Sequence, residues 1–129
     1  MKTDQNCRII IIDDDYGVCS MFESILRHIG FNNVCCFNSA FDVIERLQTS
    51  EDLLPEFIFV DFLMPTMNGG QFLDLVNDIF PNNNIGFCIA SGCSNLEEKD
   101  LRGSYFIPKP FSIDTVKNIL DDFYKKKSV

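Results

Sequence analysis

At 129 residues, 46% of them apolar, the chain is long enough for one domain that buries roughly two-thirds of its unfolded surface, and this composition excludes a disordered segment. A formal net charge of −8 weighs against unaided binding to nucleic acid or to an anionic membrane, and no apolar run approaches the roughly 20 residues that span a bilayer. Met1 to Gln5 carries none of the features of a signal peptide, so residues 1–129 are expected to form a single cytoplasmic domain.

Two periodicities alternate along the chain. Arg8 to Ile12 is a continuous β-branched run, read as a central strand that stops at Asp13-Asp14-Asp15. Val18, Met21, Phe22, Ile25, Leu26 and Ile29 then fall at helical spacing, closed by Gly30. Val34 to Phe37 reads as a second strand. Ser39, with Asp42 three residues on, opens a second helix with Ala40, Val43, Ile44 and Leu47 on one face. Phe57 to Val60 is a fully apolar third strand ending on Asp61, after which Pro65 and Gly69-Gly70 are expected to force a loop. Phe72, Leu73, Val76 and Ile79 mark a third helix, terminated by Pro81 and Asn82-Asn83-Asn84.

Ile85 to Ala90 is a fourth strand that delivers Ser91-Gly92 to its carboxyl end. Ser94 with Glu97 reads as a capping box for a short helix stopped by Gly103. Tyr105 to Ile107 is a fifth strand, interrupted by Pro108-Lys109-Pro110. Ser112 caps the last helix, whose buried face is expected to be Ile113, Val116, Leu120 and Phe123. Lys125-Lys126-Lys127 complements the negative end of that helix. Strands alternating with helices predict an α/β fold, one doubly wound five-stranded parallel sheet with five helices.

Six cysteines are present, but Cys35, Cys36 and Cys88 lie inside apolar strand-like runs, where a thiol behaves as a small hydrophobe. With no C-x-x-C pair and one histidine, His28, neither a metal–thiolate site nor a disulfide framework is expected.

Ligands of a parallel α/β sheet sit outside the carboxyl ends of its strands. There the topology gathers Asp13 and Asp14 from strand one, Asp61 from strand three, Ser91 from strand four and Lys109 from strand five. Clustered carboxylates repel and raise pKa values, and an oxygen-rich donor set suits Mg²⁺ rather than Zn²⁺. With Asp61 esterified to phosphate, Mg²⁺ and Lys109 bring the cluster near neutrality, which suits an acyl-phosphate intermediate. Four charged residues ending buried strands on one rim call for a purpose beyond structure.

Asp13-Asp14 after an isoleucine strand, Asp61-x-x-Met64-Pro65-x-Met67-Asn68-Gly69, Ser91-Gly92 and Lys109-Pro110-Phe111 together resemble the response-regulator receiver family. The resemblance spans nearly the whole chain and implies the flavodoxin-like receiver fold. It implies phosphorylation of Asp61 by a histidine kinase or a histidine phosphotransfer protein, with Mg²⁺ required and Mn²⁺ as a substitute. Asp14 would ligate the metal directly, Asp13 more through water, and the Leu63 carbonyl would join Asp61 as a further ligand. Ser91 and Lys109 would hold the phosphoryl group, Ser91 and Phe106 would act as the switch, and the Lys109-Pro110 bond would be cis. Phe106 also has a plain core-packing reading. Asp15 reads as a solvated charge at a helix start, Met64 and Met67 as loop packing, and Thr66 has no assigned role. The downstream partner would be a protein target or a fused output domain. No output segment follows the last helix in these 129 residues.

Two features depart from the family pattern. Seventeen residues separate Ser91 from Lys109, about four fewer than a typical receiver has, so the fourth helix is expected to lose about one turn. Leu63, two after Asp61, cannot protonate a leaving group, which opposes a phosphatase that also uses an aspartyl phosphate and predicts a long-lived phosphorylated form. A receiver-like module that signals without phosphorylation is the alternative, favoured by the short helix and opposed by the complete acidic site.

Overall fold

The computed structural model describes residues 7–49, 54–93 and 95–128. Its elements, in order, are β1 (Ile9–Ile12), α1 (Tyr16–His28), β2 (Val34–Phe37), α2 (Ala40–Thr49), β3 (Phe57–Asp61), α3 (Gly69–Ile79), β4 (Gly86–Ser91), α4 (Glu98–Leu101), β5 (Tyr105–Pro108) and α5 (Ile113–Lys127). The strands form one parallel sheet in the order β2-β1-β3-β4-β5, the expected doubly wound architecture.

Alternation along each strand divides the core. Ile10, Ile12, Ile58, Val60 and Ile89 pack against Val43, Leu47, Phe72 and Val76 of α2 and α3. Ile9, Ile11, Phe57, Phe59 and Ile107 pack against Phe22, Leu26, Val116 and Leu120 of α1 and α5. Every residue of β1, β3 and β4 is buried, which explains why those strands read as unbroken apolar runs.

Local chemistry moved several boundaries. Gly69 and Gly70 are the first two residues of α3 rather than loop, because Asn68 and Gln71 form a reciprocal capping box. Proximity requires Gly70, where a Cβ would stand 2.7 Å from the Asp100 carbonyl oxygen, and favours Gly69, where one would stand a tight 3.1 Å from that of Asp61. Pro108 belongs to β5, paired with Ser91, and is tolerated because β5 is an edge strand with no strand on its outer side among the described residues.

The fourth helix is a single turn. Its cap is Glu97, whose amide donates to Asp100 Oδ2 at 2.8 Å, so the helix starts three residues later than a Ser94 cap would place it; Ser94 itself lies outside the described residues. Arg102 and Gly103 both have positive φ and end the turn. In α5 the Ser112 cap is present, but Ile113 stays 41% exposed and burial starts one turn later at Val116. Met21 is likewise 41% exposed, off the buried stripe of α1.

The cysteines hold the largest correction. Cys7, just before β1, is bonded to Cys35 of β2, with 5.8 Å between their Cα atoms. The parallel register, Ile9 opposite Val34 and Ile10 opposite Cys35, brings the N-terminal approach of β1 alongside β2. The sequence separation of 28 hides that adjacency from spacing rules. Cys88 is fully buried with its pKa pushed above the ordinary thiol range by desolvation, in keeping with the hydrophobe reading. Among the described residues, no helix is long and apolar enough to cross a membrane.

Candidate functional site

The pocket begins where β1 runs out of isoleucine. The Asp13 amide still donates to the Phe37 carbonyl at 3.1 Å, which fixes the residue at the strand end with its side chain 2% exposed. The chain then turns tightly. The Asp15 amide donates to Asp13 Oδ1 at 2.9 Å, while Asp15 Oδ1 accepts from the amides of Gly17 at 2.8 Å and Val18 at 3.3 Å, capping α1. Asp15 therefore serves the helix start, as its position in sequence suggested. Asp14 lies between them, exposed on the rim.

Asp61 closes β3 and is 7% exposed. The next amide, of Phe62, donates to the Ala90 carbonyl at 2.9 Å, and the Gly69 amide donates to the Phe62 carbonyl at 2.9 Å. These bonds draw β4 and the start of α3 onto the strand end. One carboxylate oxygen from each of Asp13, Asp14 and Asp61 lies within 4.8 Å of the others. The donors are all hard oxygens with neither His nor Cys among them, a set that fits Mg²⁺ or Mn²⁺ and not Zn²⁺.

Lys109 crosses the pocket from the loop after β5. Its Nζ donates to Asp13 Oδ2 at 2.7 Å and to Asp61 Oδ1 at 3.1 Å. Burial alone would lower the Lys109 pKa, but the hydrogen bonds to Asp13 and Asp61 outweigh it and leave it raised. Burial, followed by the charge of Asp13, holds Asp61 above the usual carboxylate range despite the opposing bond from Lys109. One ammonium against three carboxylates leaves a net negative pocket, the condition that a divalent cation relieves.

Ser91 ends β4 at 2% exposure. Its Oγ accepts from the Cys93 amide at 2.9 Å, and its carbonyl accepts from the Lys109 amide at 2.9 Å, so serine and lysine share one backbone anchor. The Lys109-Pro110 peptide is cis. Phe106 is half-buried and lines, with Ser91, Leu96, Leu101 and Lys109, a cavity of about 310 Å³ beside the one-turn α4. Leu63 is 64% exposed on the rim. Met64 and Met67 pack against the core, and Thr66 is exposed.

Asp13, Asp14, Asp61, Ser91 and Lys109 thus lie together at the carboxyl ends of the strands. Two relationships were not anticipated. Lys109 is closer to Asp13 than to Asp61, and the Cys19 thiol stands 3.6 Å from the main-chain oxygen of Asp13. Neither has a signal in spacing, since both depend on side-chain reach between distant segments.

The sequence matches the Response regulator receiver domain family over residues 9–121. It is 24% identical over 127 residues to Sporulation initiation phosphotransferase F of Bacillus subtilis (strain 168), covering 95% of this chain and 98% of that protein. It is 27% identical over 120 residues to Chemotaxis protein CheY of Thermotoga maritima, covering 92% and 98%. Among solved structures, a response regulator receiver domain protein from Clostridium thermocellum superposes with a TM-score of 0.80 at 19% identity, covering 95% of this chain and 97% of that one, a likeness of fold.

Proposed function

The chain belongs to the response-regulator receiver family, the phosphoacceptor domains of two-component signalling, and from that premise we propose that Asp61 is its phosphoacceptor, supplied by a histidine kinase or a histidine phosphotransfer protein. The observation that carries this reading is the Lys109 ammonium bonded to both Asp13 and Asp61, within a cluster of three carboxylates.

In the proposed reaction a carboxylate oxygen of Asp61 attacks the phosphorus of a phosphohistidine. The P–N bond breaks, and the electron pair leaves with the imidazole nitrogen. Lys109 follows the new charge, exchanging its bond to Asp61 for one to a phosphoryl oxygen while it keeps Asp13. Ser91 Oγ accepts from the Cys93 amide, which leaves its O–H to donate to another phosphoryl oxygen. Asp13, Asp14 and Asp61, with the Leu63 carbonyl, would hold Mg²⁺ or Mn²⁺, which when bound offsets the negative charge of the carboxylates and of the transferring group.

Half-buried Phe106, next to the cavity that Ser91 lines, has room to change its packing when Ser91 turns to the phosphoryl group. That motion is the switch, read by a protein target or a fused output domain. Receiver domains are phosphoacceptors rather than turnover enzymes, and the chemistry here is confined to the chain's own phosphorylation and dephosphorylation. Leu63 supplies no acid for a phosphatase cycle.

The test is incubation with a small acyl phosphate and Mg²⁺, followed by intact mass. A gain of one phosphoryl group is expected, lost in Asp61→Asn and on chelation of the metal. Equal labelling of Asp61→Asn would overturn the assignment.

A further inference from the structure

Neighbouring side chains on a strand point to opposite faces, and on β2 this separates two cysteine chemistries. Cys35 packs on the α2 and α3 side, where it is bonded to Cys7. Cys36, the next residue, packs on the α1 side. There its Sγ donates to the Cys19 carbonyl at 3.4 Å, which brings the Cys36 side chain against Cys19. Glu23 Oε1 stands 3.8 Å from Cys36 Sγ. Both cysteines line an open cavity of about 220 Å³, completed by Tyr16, Phe37 and Asn38. Cys19 Sγ also contacts the carbonyl oxygens of Asp13 at 3.6 Å and Phe37 at 3.9 Å, two groups joined by the Asp13 amide bond at the edge of the acidic pocket.

The phosphoryl chemistry uses neither thiol. A part-exposed Cys36 against a buried Cys19, on a strand whose other face already carries a disulfide, has the parts of an oxidisable pair. We propose that Cys19 and Cys36 form a modification site at which a small peroxide makes a second disulfide, tying α1 to β2 next to the acidic pocket. In the first step one thiol takes an oxygen from the peroxide, the O–O bond breaks, and a sulfenic acid and water form. In the second step the other sulfur attacks the sulfenic sulfur, the S–O bond breaks, and a second water leaves. Two thiols are oxidised, one peroxide is reduced, and two waters are produced.

The consequence for Asp13 rests on the phosphoacceptor reading. Once Cys19 is bonded to Cys36 it has no S–H to donate to the Asp13 or Phe37 carbonyl, and α1 is held one turn after the Asp15 cap, where the Cys19 amide donates to the Asp15 carbonyl. The oxidised chain should therefore label Asp61 at a different rate from the reduced pair.

The experiment treats the full chain with one equivalent of hydrogen peroxide, digests it without reductant and maps the peptides. A peptide pair joining Cys19 to Cys36, two hydrogens lighter than its parts, is expected beside the Cys7–Cys35 pair. Labelling of Asp61 by a small acyl phosphate should change at least threefold in the same sample. Cys36→Val should abolish the new crosslink and the rate change, while its untreated labelling stays within twofold of the untreated parent. Should that variant misfold, differential alkylation of the unmodified sequence gives the same answer, since Cys19 and Cys36 must lose reactivity together. Recovery of both as free thiols, with oxidation confined to Cys93, overturns the proposal. A crosslink with unchanged labelling overturns its link to the pocket. Failure of the untreated chain to label at all counts against the phosphoacceptor reading instead, and leaves the peptide map as the test of the disulfide.

Discussion

Lys109 reaches Asp61 across 48 positions of sequence, its ammonium 3.1 Å from Oδ1 and its other bond held by Asp13 at 2.7 Å. Asp61 is therefore a carboxylate with only half a counterion, buried next to a like charge.

Removing that charge should stabilise the fold. Burial and the charge of Asp13 raise the Asp61 pKa, so the folded state keeps this proton to higher pH than the unfolded chain does. The stability linked to the proton is complete in acid and is lost as pH rises through the folded value. At neutral pH, Asp61→Asn is expected to melt higher by roughly 3 °C, about what 1 kcal/mol represents in a domain of this size. Thermal unfolding at several pH values checks it: the gap must shrink as pH falls through the raised carboxylate range, and a constant gap refutes the electrostatic cause.

Lys109→Met should slow phosphoryl transfer to Asp61. It strips Asp13 and Asp61 of the ammonium they share, and no other side chain among the described residues is hydrogen-bonded to either carboxylate. Loss of a preorganised donor to developing charge slows transfer by about 10²–10³-fold. The rate constant for labelling by a small acyl phosphate at saturating Mg²⁺ measures it directly, and a drop of less than tenfold would contradict the proposed role.

The Cys7–Cys35 bond closes a loop with a sequence separation of 28 residues. Constraint of the unfolded chain by a loop of that length is worth about 3.5 kcal/mol in the chain-entropy model. Cys7→Ser, or reduction with a strong thiol, should lower Tm by roughly 10 °C. Calorimetry with and without reductant provides the comparison, and the reductant should have little effect on the variant.

Leu63 is 64% exposed at the mouth of the pocket and offers an arriving water no hydrogen bond. Leu63→Asn should shorten the half-life of the phosphorylated form by roughly tenfold, at or below the low end of what a positioned polar group contributes. Decay of the phosphorylated mass after removal of the donor tests it. The formation rate should change little, because Leu63 contacts the rim by backbone rather than by side chain in the proposed metal set.

The fold was legible wherever burial is complete on both faces. β1, β3 and β4 announce themselves as unbroken apolar runs, and Ala40, Val43, Ile44 and Leu47 of α2 are all buried as their spacing required. Legibility failed where the deciding partner is distant or where the rule concerns an edge. Gly69 and Gly70 read as loop because the crowding that favours glycine comes from Asp61 and Asp100. Pro108 reads as a strand breaker only if β5 has two neighbours, and among the described residues it has one. Cys7 and Cys35 meet through a register that spacing alone does not express. The site was more legible than the fold's margins, because a charged residue at the end of a buried strand is costly to desolvate and persists where a partner or a ligand compensates it. What stayed hidden there was the preference of Lys109 for Asp13, set by side-chain reach.

Asp61 stands at the end of the middle strand of five, with β1 laced to one flank of β3 and β4 to the other. A phosphate arriving there meets a floor that cannot yield without tearing two ladders at once. In the proposed switch the message leaves sideways, through the parts of the rim held by single threads: the Ser91 hydroxyl, the ring of Phe106 and the lone turn of α4.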